Sequence, residues 1–183
     1  MHRKLAVLLL TLFAIAGAAL AGDKPVVVGG QPMYANKDII DNAVNSADHT
    51  TLVAAVKAAG LVDTLKGAGP FTVFAPTNEA FAKLPAGTVD TLLKPENRDT
   101  LVKILTYHVV AGRLSSAELK KEIRAGHGQA TLKTVSGGTL TAMIQGSNIV
   151  LKDEKGGMST VTIPNVFQSN GVIHVVDTVV MPN

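Results

Sequence analysis

The stretch from Phe71 to Pro85 changes its hydrophobic period partway along, and this change limits what the chain can fold into. Residues 71–75 have the apolar, β-prone composition of a strand. Pro76 has no N–H to continue a ladder, and the hydroxyl of Thr77 can accept from the free amides of a first helical turn. The apolar residues that follow fall on one helical face: Ala80, Phe81 and Leu84. We therefore predict a strand that turns through a capped corner into a short helix.

The last long apolar run, residues 172–180, is apolar on both alternations, which predicts a central strand covered on both faces. It contains two polar residues, His174 and Asp177. Residues three apart on a strand face opposite sides, so these two should not converge on one atom as a catalytic or metal-binding pair. A polar group in such surroundings needs a partner. We expect Asp177 to accept hydrogen bonds from backbone or hydroxyl groups at the corner formed by residues 76–78.

Helical spacing dominates the first half of the chain and also covers Leu101 to Val109, with Gly112 as the expected stop. On this helix His108 should point inward as a neutral imidazole, bonded to backbone or to a carboxylate. Tyr107 lies about 100° further round the helix, and we expect it to be half exposed. From Thr131 to Phe167 the period falls to two, which predicts an antiparallel meander. The chain is therefore predicted to be an α+β protein.

The amino terminus has the pattern of a secretory signal peptide at residues 1–21: a basic start, an apolar run and a small-residue cleavage site. Residues 22–36, rich in glycine and proline, are expected to be a flexible lead-in, in which Val26–Val28 could pair as an edge strand. The remaining domain is residues 37–183. The sequence has no cysteine, which excludes disulfides and a lipid anchor on cysteine.

Charge and composition exclude further classes of protein. Cleavage after Ala21 would remove Arg3 and Lys4, leaving 15 of the 17 basic residues against 14 acidic ones, a net charge of about +1. Nucleic-acid binding depends on a positive field, so we expect no nucleic-acid partner. Aromatic residues make up only 4% of the chain and tryptophan is absent, so aliphatic side chains must build the core.

Three stretches, in order, resemble the fasciclin domain family. Residues 71–81 are similar to its first homology box, residues 106–109 resemble its Tyr-His motif, and residues 171–177 resemble its second box. The resemblance covers about residues 37–182. It implies helices packed on a wedge of two β-sheets, in a family of secreted or surface adhesion and matrix proteins.

The resemblance also implies roles for particular residues. In animal members the Tyr-His motif has been proposed as an integrin-recognition segment, and its counterparts here are Tyr107 and His108. Because the helical pattern places His108 and its aliphatic neighbours in the core, we expect the motif to support the fold first, with direct contact to a partner as the alternative. The residues expected to form the structural motif are Phe71, Phe74, Pro76, Thr77, Asn78, Phe81, Tyr107, His108, His174 and Asp177.

The function that these observations favour is an exported, non-enzymatic module that binds protein or glycan at the cell surface or in the matrix. An envelope structural or stress protein is the first alternative, and an enzyme or small-ligand carrier is the second. The sequence contains no nucleophile elbow, zinc-protease or phosphate-loop motif. We expect no catalytic residue, no metal site, no cofactor and no membrane insertion after cleavage.

Overall fold

The structure, a computed structural model, describes residues 24–183, so the predicted signal peptide lies outside the described residues. The α-helices of this part are α1 (Ile39–Ala43), α2 (Thr50–Ala59), α3 (Val62–Lys66), α4 (Asn78–Ala82), α5 (Thr88–Leu92), α6 (Arg98–Tyr107) and α7 (Ser116–Ala125). Its strands are β1 (Val26–Val28), β2 (Gln31–Met33), β3 (Phe71–Pro76), β4 (Val109–Ala111), β5 (Gln129–Lys133), β6 (Thr139–Gln145), β7 (Asn148–Lys152), β8 (Met158–Gln168) and β9 (Gly171–Val176). Between residues 24 and 183, no helix is both long and apolar enough to cross a membrane.

Seven strands form one sheet in the order β4-β3-β9-β8-β7-β6-β5. Only β3 and β9 pair in parallel, and the run from β5 to β9 is antiparallel throughout, as the meander prediction requires. The long strand β8 pairs with β7 at one end and β9 at the other. Register shifts between Val161 and Val166 bend it between these pairings. The bend divides the sheet into two halves, which gives the wedge that the resemblance implied and confirms the α+β class.

The two edges of the sheet meet. Val110 of β4 forms an isolated bridge with Thr134, and the Val135 N–H donates to the Val109 carbonyl at 2.8 Å. The sheet is therefore almost a closed barrel, with few free edge groups to pair with another chain.

Two apolar clusters cover the sheet on its opposite faces. The first packs helices α1 to α6 on one face and includes Val73, Ile173 and Val175. The second fills the inside of the wedge under α7 and includes Phe74 and Val176. Neighbouring residues of β9 thus belong to opposite clusters, and all six are buried, so the prediction of a central strand covered on both faces is confirmed.

The corner after β3 is confirmed in detail. The Thr77 hydroxyl accepts from the Ala80 N–H at 3.2 Å and caps α4, in which Ala80 and Phe81 are buried. Asn78 also joins two elements. Its Oδ1 accepts from the Thr51 N–H at 3.0 Å, which satisfies a free amide at the start of α2, and its amide donates to the Ala47 carbonyl at 2.9 Å.

Asn170, in the turn before β9, joins three further elements. Its Oδ1 accepts from the Ile39 N–H at the start of α1, and its amide donates to the carbonyls of Leu65 and Gly67 at the end of α3. The Asn170 carbonyl accepts from the Phe71 N–H. One buried side chain thus fixes two helix ends over the paired starts of β3 and β9.

Two boundaries differ from the sequence predictions. The last strand ends at Val176, whose register partner Pro76 is the last residue of β3 before the chain turns at Thr77 into α4. The lead-in is also more ordered than predicted, since β1 and β2 form a hairpin whose Val28 and Met33 are buried in the first cluster. The pairing expected for residues 26–28 is therefore present.

Gln168, at the end of β8, is buried, yet neither polar atom of its amide has a hydrogen-bond partner within residues 24–183. A buried unpaired amide costs free energy, whereas methionine has nearly the same length without that cost. We expect Gln168→Met to raise the free energy of unfolding by about 1 kcal/mol in urea titrations. Gln145→Met, at an exposed position of β6, should leave it unchanged. A destabilised Gln168→Met would show that this amide has a partner in solution.

Candidate functional site

The Tyr107-His108 motif lies where α6 gives way to β4. The helix ends at Tyr107, five residues before the predicted stop at Gly112, because the next residues join the sheet: the His108 carbonyl accepts from the Phe74 N–H at 2.9 Å, and Val109 pairs with Val73. The motif therefore sits at a junction of helix and sheet, and its aliphatic neighbours on both sides are buried.

His108 is 2% exposed, as predicted for an inward residue. Its Nδ1 lies 2.8 Å from the Ile104 carbonyl, and its Nε2 accepts from the Val180 N–H at 3.2 Å. A carbonyl can only accept, so the proton is on Nδ1 and the ring is neutral. Burial lowers the pKa of His108 to about 4, against an ordinary value of 6.5. The ring thus fastens the carboxyl-terminal segment to α6.

The prediction that Tyr107 is half exposed is wrong, because its side chain is fully buried. Its hydroxyl donates to the Thr139 carbonyl at 2.6 Å and accepts from the Glu154 N–H at 3.2 Å, so the β7–β8 loop closes over the ring. Gly138 lies against the ring, where a Cβ would approach Cε2 to 2.8 Å. Burial raises the pKa of Tyr107 to about 12. Neither residue of the motif presents its side chain to a partner.

The β7–β8 loop is a second junction, which the sequence did not reveal. Asp153 is buried, and its carboxylate accepts from the N–H groups of Lys155, Gly157 and Met181. Glu154 accepts from the Asn183 N–H, and this contact contributes most to lowering its pKa. The loop therefore holds the carboxyl terminus as well as Tyr107.

His174 is fully buried on β9 and stacks on Phe74, with ring centroids 5.7 Å apart. Its Nδ1 accepts from the Asn165 N–H at 3.3 Å, and its Nε2 donates to the Leu114 carbonyl at 2.7 Å. Burial lowers the pKa of His174. The ring joins β9 to the bulged part of β8 and to the loop before α7.

The predicted partners of Asp177 are wrong. The residue lies just beyond β9, half exposed, and its Oδ1 accepts from the Thr160 N–H at 2.8 Å and from the Thr178 hydroxyl at 3.0 Å. The corner reaches the last strand through its backbone instead, since the Thr77 N–H donates to the Val176 carbonyl. Asp177 lies outside the buried strand in which it was predicted, because β9 ends one residue before it, at Val176.

A third buried imidazole belongs to His49. It is the last residue of a short 3₁₀ turn, and its Nδ1 lies 2.9 Å from the Ser46 hydroxyl while its Nε2 faces the Ala75 carbonyl at 3.4 Å. Burial lowers its pKa. Its sequence neighbours are polar or exposed, so no hydrophobic period marked this residue as internal.

His108, His174 and Asp177 therefore serve separate junctions, and the structure does not gather them round one cleft. Every ring nitrogen of His49, His108 and His174 has a polar partner within the protein. Within residues 24–183, no group of three or more His, Asp or Glu side chains is placed to hold a metal ion. The polar side chains of the family motifs connect helices, strands and loops of the fold to one another.

The side chains available to a partner lie elsewhere. Val27 of the β1–β2 hairpin is 60% exposed, and Tyr34 directly after the hairpin is 44% exposed. The Lys37 ammonium lies 5.3 Å from the centroid of the Tyr34 ring, a cation–π contact. Sequence reasoning did not select these residues, because a short glycine- and proline-rich lead-in gives no signal of a folded surface.

Acid should destabilise the protein through His108. Its pKa is lower in the folded state than in the unfolded state, so its contribution to stability is full above about pH 6.5 and is lost as the pH falls toward about 4. We expect it to account for about 2 kcal/mol of the unfolding free energy lost between about pH 7 and pH 5. His108→Gln, which retains an acceptor for the Val180 N–H, should remove that part of the loss.

The control is His127→Gln at an exposed position, which should leave the pH dependence unchanged. His49 and His174 are present in both variants and lower the stability in acid in the same direction, so the difference in pH dependence between the two variants is due to His108. Equal pH slopes for the wild type and His108→Gln would contradict a buried neutral imidazole.

The Tyr107 hydroxyl gives a second prediction. Tyr107→Phe leaves the Thr139 carbonyl and the Glu154 N–H without their partner, so we expect the free energy of unfolding to fall by about 1–2 kcal/mol. Tyr34→Phe, at an exposed ring, should change it by less than about 0.5 kcal/mol. Equal effects of the two substitutions in chemical denaturation would refute the role of the buried hydroxyl.

Comparison with known proteins agrees with this architecture. Protein sll1483 of Synechocystis sp. is 44% identical over 160 residues, which cover 87% of this chain and 82% of that protein. The cell surface glycolipoprotein MPB83 of Mycobacterium bovis is 34% identical over 170 residues, covering 90% of this chain and 70% of that protein. Among solved structures, the FAS1 domain pair of the insect cell adhesion molecule fasciclin I matches with a TM-score of 0.69 and 18% identity, over 79% of this chain and 51% of that one.

The last match concerns the fold alone, because its sequence identity is low. The family assignment rests on the family model, which is described as Fasciclin domain and matches residues 47–182. That range contains the corner, the Tyr-His junction and the central strand β9, and the chain belongs to the fasciclin domain family.

Proposed function

We propose that this protein is an exported, non-enzymatic interaction module that binds protein or glycan at the cell surface or in the surrounding matrix. Two kinds of observation support the proposal. A relative that is 34% identical to this chain is described as a cell surface glycolipoprotein. The polar side chains of the family motifs are used inside the fold, which leaves contact with a partner to the outer surface.

The observation that carries the proposal furthest is the exposed surface of the amino-terminal hairpin, which we define as Val27, Tyr34 and Lys37. An aromatic ring with an adjacent ammonium group offers an apolar face, a hydroxyl and a positive charge to one partner. Such aromatic and cationic side chains are enriched among residues that dominate binding energy. The hairpin is held rigidly, since Val28 and Met33 on its other face are buried.

The adhesion of cells to surfaces coated with this protein tests the proposal. Protein purified after export should retain cells of its source organism above an albumin control. The double variant Val27→Ser/Tyr34→Ala should reduce retention roughly tenfold, because truncating a central contact costs more than 1 kcal/mol. The matched control, Ile144→Ser/Met158→Ser, removes two other exposed apolar side chains and should retain cells as the wild type does.

Two results would count against the proposal: no retention above albumin, or equal losses in both double variants. A deletion strain that attaches normally but has a weakened envelope would instead favour an envelope structural role.

A further inference from the structure

The segment after β9, residues 177–183, belongs to no helix or strand, yet Asn183 is its one exposed residue. Val179 is 5% exposed and lies in the first apolar cluster, and Val180 is 1% exposed and lies in the second. Two adjacent residues of an irregular segment therefore close the edges of both clusters.

Side chains of other elements bind the backbone of this segment from Val180 onward. Three of its N–H groups donate to ionisable groups at 3.2, 2.9 and 3.1 Å. The donors and acceptors are, in that order, Val180 with His108 Nε2, Met181 with the Asp153 carboxylate and Asn183 with the Glu154 carboxylate. The position of the segment thus depends on the charge of the groups that hold it.

The contact with His108 exists only while the ring is neutral. Its Nδ1 carries the proton that faces the Ile104 carbonyl, so Nε2 is the acceptor for the Val180 N–H. A second proton can enter only at Nε2, and the imidazolium would then turn a donor toward a donor. Proton uptake by the ring and this hydrogen bond therefore exclude each other.

The charged group that acts on the ring is Asp153 of the β7–β8 loop, which favours the imidazolium. Burial opposes it and is the larger effect, so the pKa of His108 is lowered to about 4. Glu154 of the same loop and Lys103 of α6 contact the far end of the segment, at Asn183. The Asn183 N–H contributes most to the lowered pKa of Glu154, so this carboxylate stays ionised in mild acid.

We propose that residues 179–183 form an acid-sensitive strap, which opens from the end of α6 as His108 Nε2 takes up a proton, while the sheet stays folded. The strap has a fixed base, because the Ser159 hydroxyl donates to the Thr178 carbonyl at 2.7 Å and the Asp177 N–H donates to the Thr160 carbonyl at 3.1 Å. Opening uncovers the junction at His108 and the edges of both apolar clusters.

The two states of the strap set the size of the effect. With the strap closed the pKa of His108 is about 4, and with the strap open the ring meets water and regains its ordinary pKa of about 6.5. The open state therefore binds more protons as the pH falls below about 6.5. The equilibrium constant for opening should rise roughly twentyfold between about pH 7 and pH 5.

Native-state hydrogen exchange of the protein in low concentrations of urea measures this opening. The Val180 amide should exchange through a local opening, so its rate should be nearly independent of urea. After correction for the intrinsic pH dependence of exchange, that rate should rise roughly twentyfold between about pH 7 and pH 5. The amides of β9 should exchange more slowly and with a steep urea dependence, because they require global unfolding.

Two histidine variants assign the pH dependence. His108→Gln keeps an acceptor for the Val180 N–H but takes up no proton in this range, so the opening of its strap should not respond to pH. His127→Gln, at an exposed position, is the matched control and should respond as the wild type does.

A Val180 amide that exchanges together with the β9 amides, at the same rate and with the same urea dependence, would overturn the proposal. This result comes from the wild type, so it decides the matter whether or not His108→Gln folds. A folded His108→Gln variant that keeps the twentyfold rise would overturn it equally.

Discussion

The parallel pairing of β3 with β9 is the constraint on which the rest of the structure depends. The pair lies in the middle of the sheet with apolar clusters on both faces, so neither strand has access to water for its polar groups. Any polar side chain that enters this region must find its partner inside the protein or cost a few kcal/mol. His174 and Asn170 meet this requirement by bonding to backbone groups of other elements. The partners that satisfy them also fix the positions of those elements.

The same logic explains the Tyr-His motif. Tyr107 and His108 end a helix directly beside β4, and each bonds to a segment far away in sequence: the β7–β8 loop and the carboxyl terminus. Lys103 of the same helix also contacts the carbonyl of Asn183. One end of the fold is thus closed by polar contacts to α6, while its outer surfaces need not contribute to stability. A fold stabilised in this way can vary its surface for recognition without changing its motifs.

Sequence reasoning succeeded where a local rule decides the structure. Three elements could be predicted without knowledge of distant contacts. They are the corner, from its proline and threonine, the meander, from its alternating pattern, and β9, from a run that is apolar on both faces. It failed where a distant segment decides. Tyr107 is buried in the second cluster beneath the β7–β8 loop, which lies far along the chain. Asp177 lies beyond the paired part of β9 because β3, a hundred residues earlier, ends at Pro76. His49 is enclosed by elements that no helical period could reveal.

The imidazoles of His108 and His174 are neutral and internal, and the protonation of their ring nitrogens can be measured directly. Long-range ¹H–¹⁵N spectra of the protein should show His108 with its proton on Nδ1 and His174 with its proton on Nε2. His108 should keep its tautomer from about pH 7 down to about pH 5.5, because burial lowers its pKa to about 4, and His174 should be neutral at about pH 7, because burial lowers its pKa as well. Rings that exchange between tautomers, or that take up a proton near the ordinary histidine pKa of about 6.5, would show that these imidazoles are not held as neutral groups inside the fold.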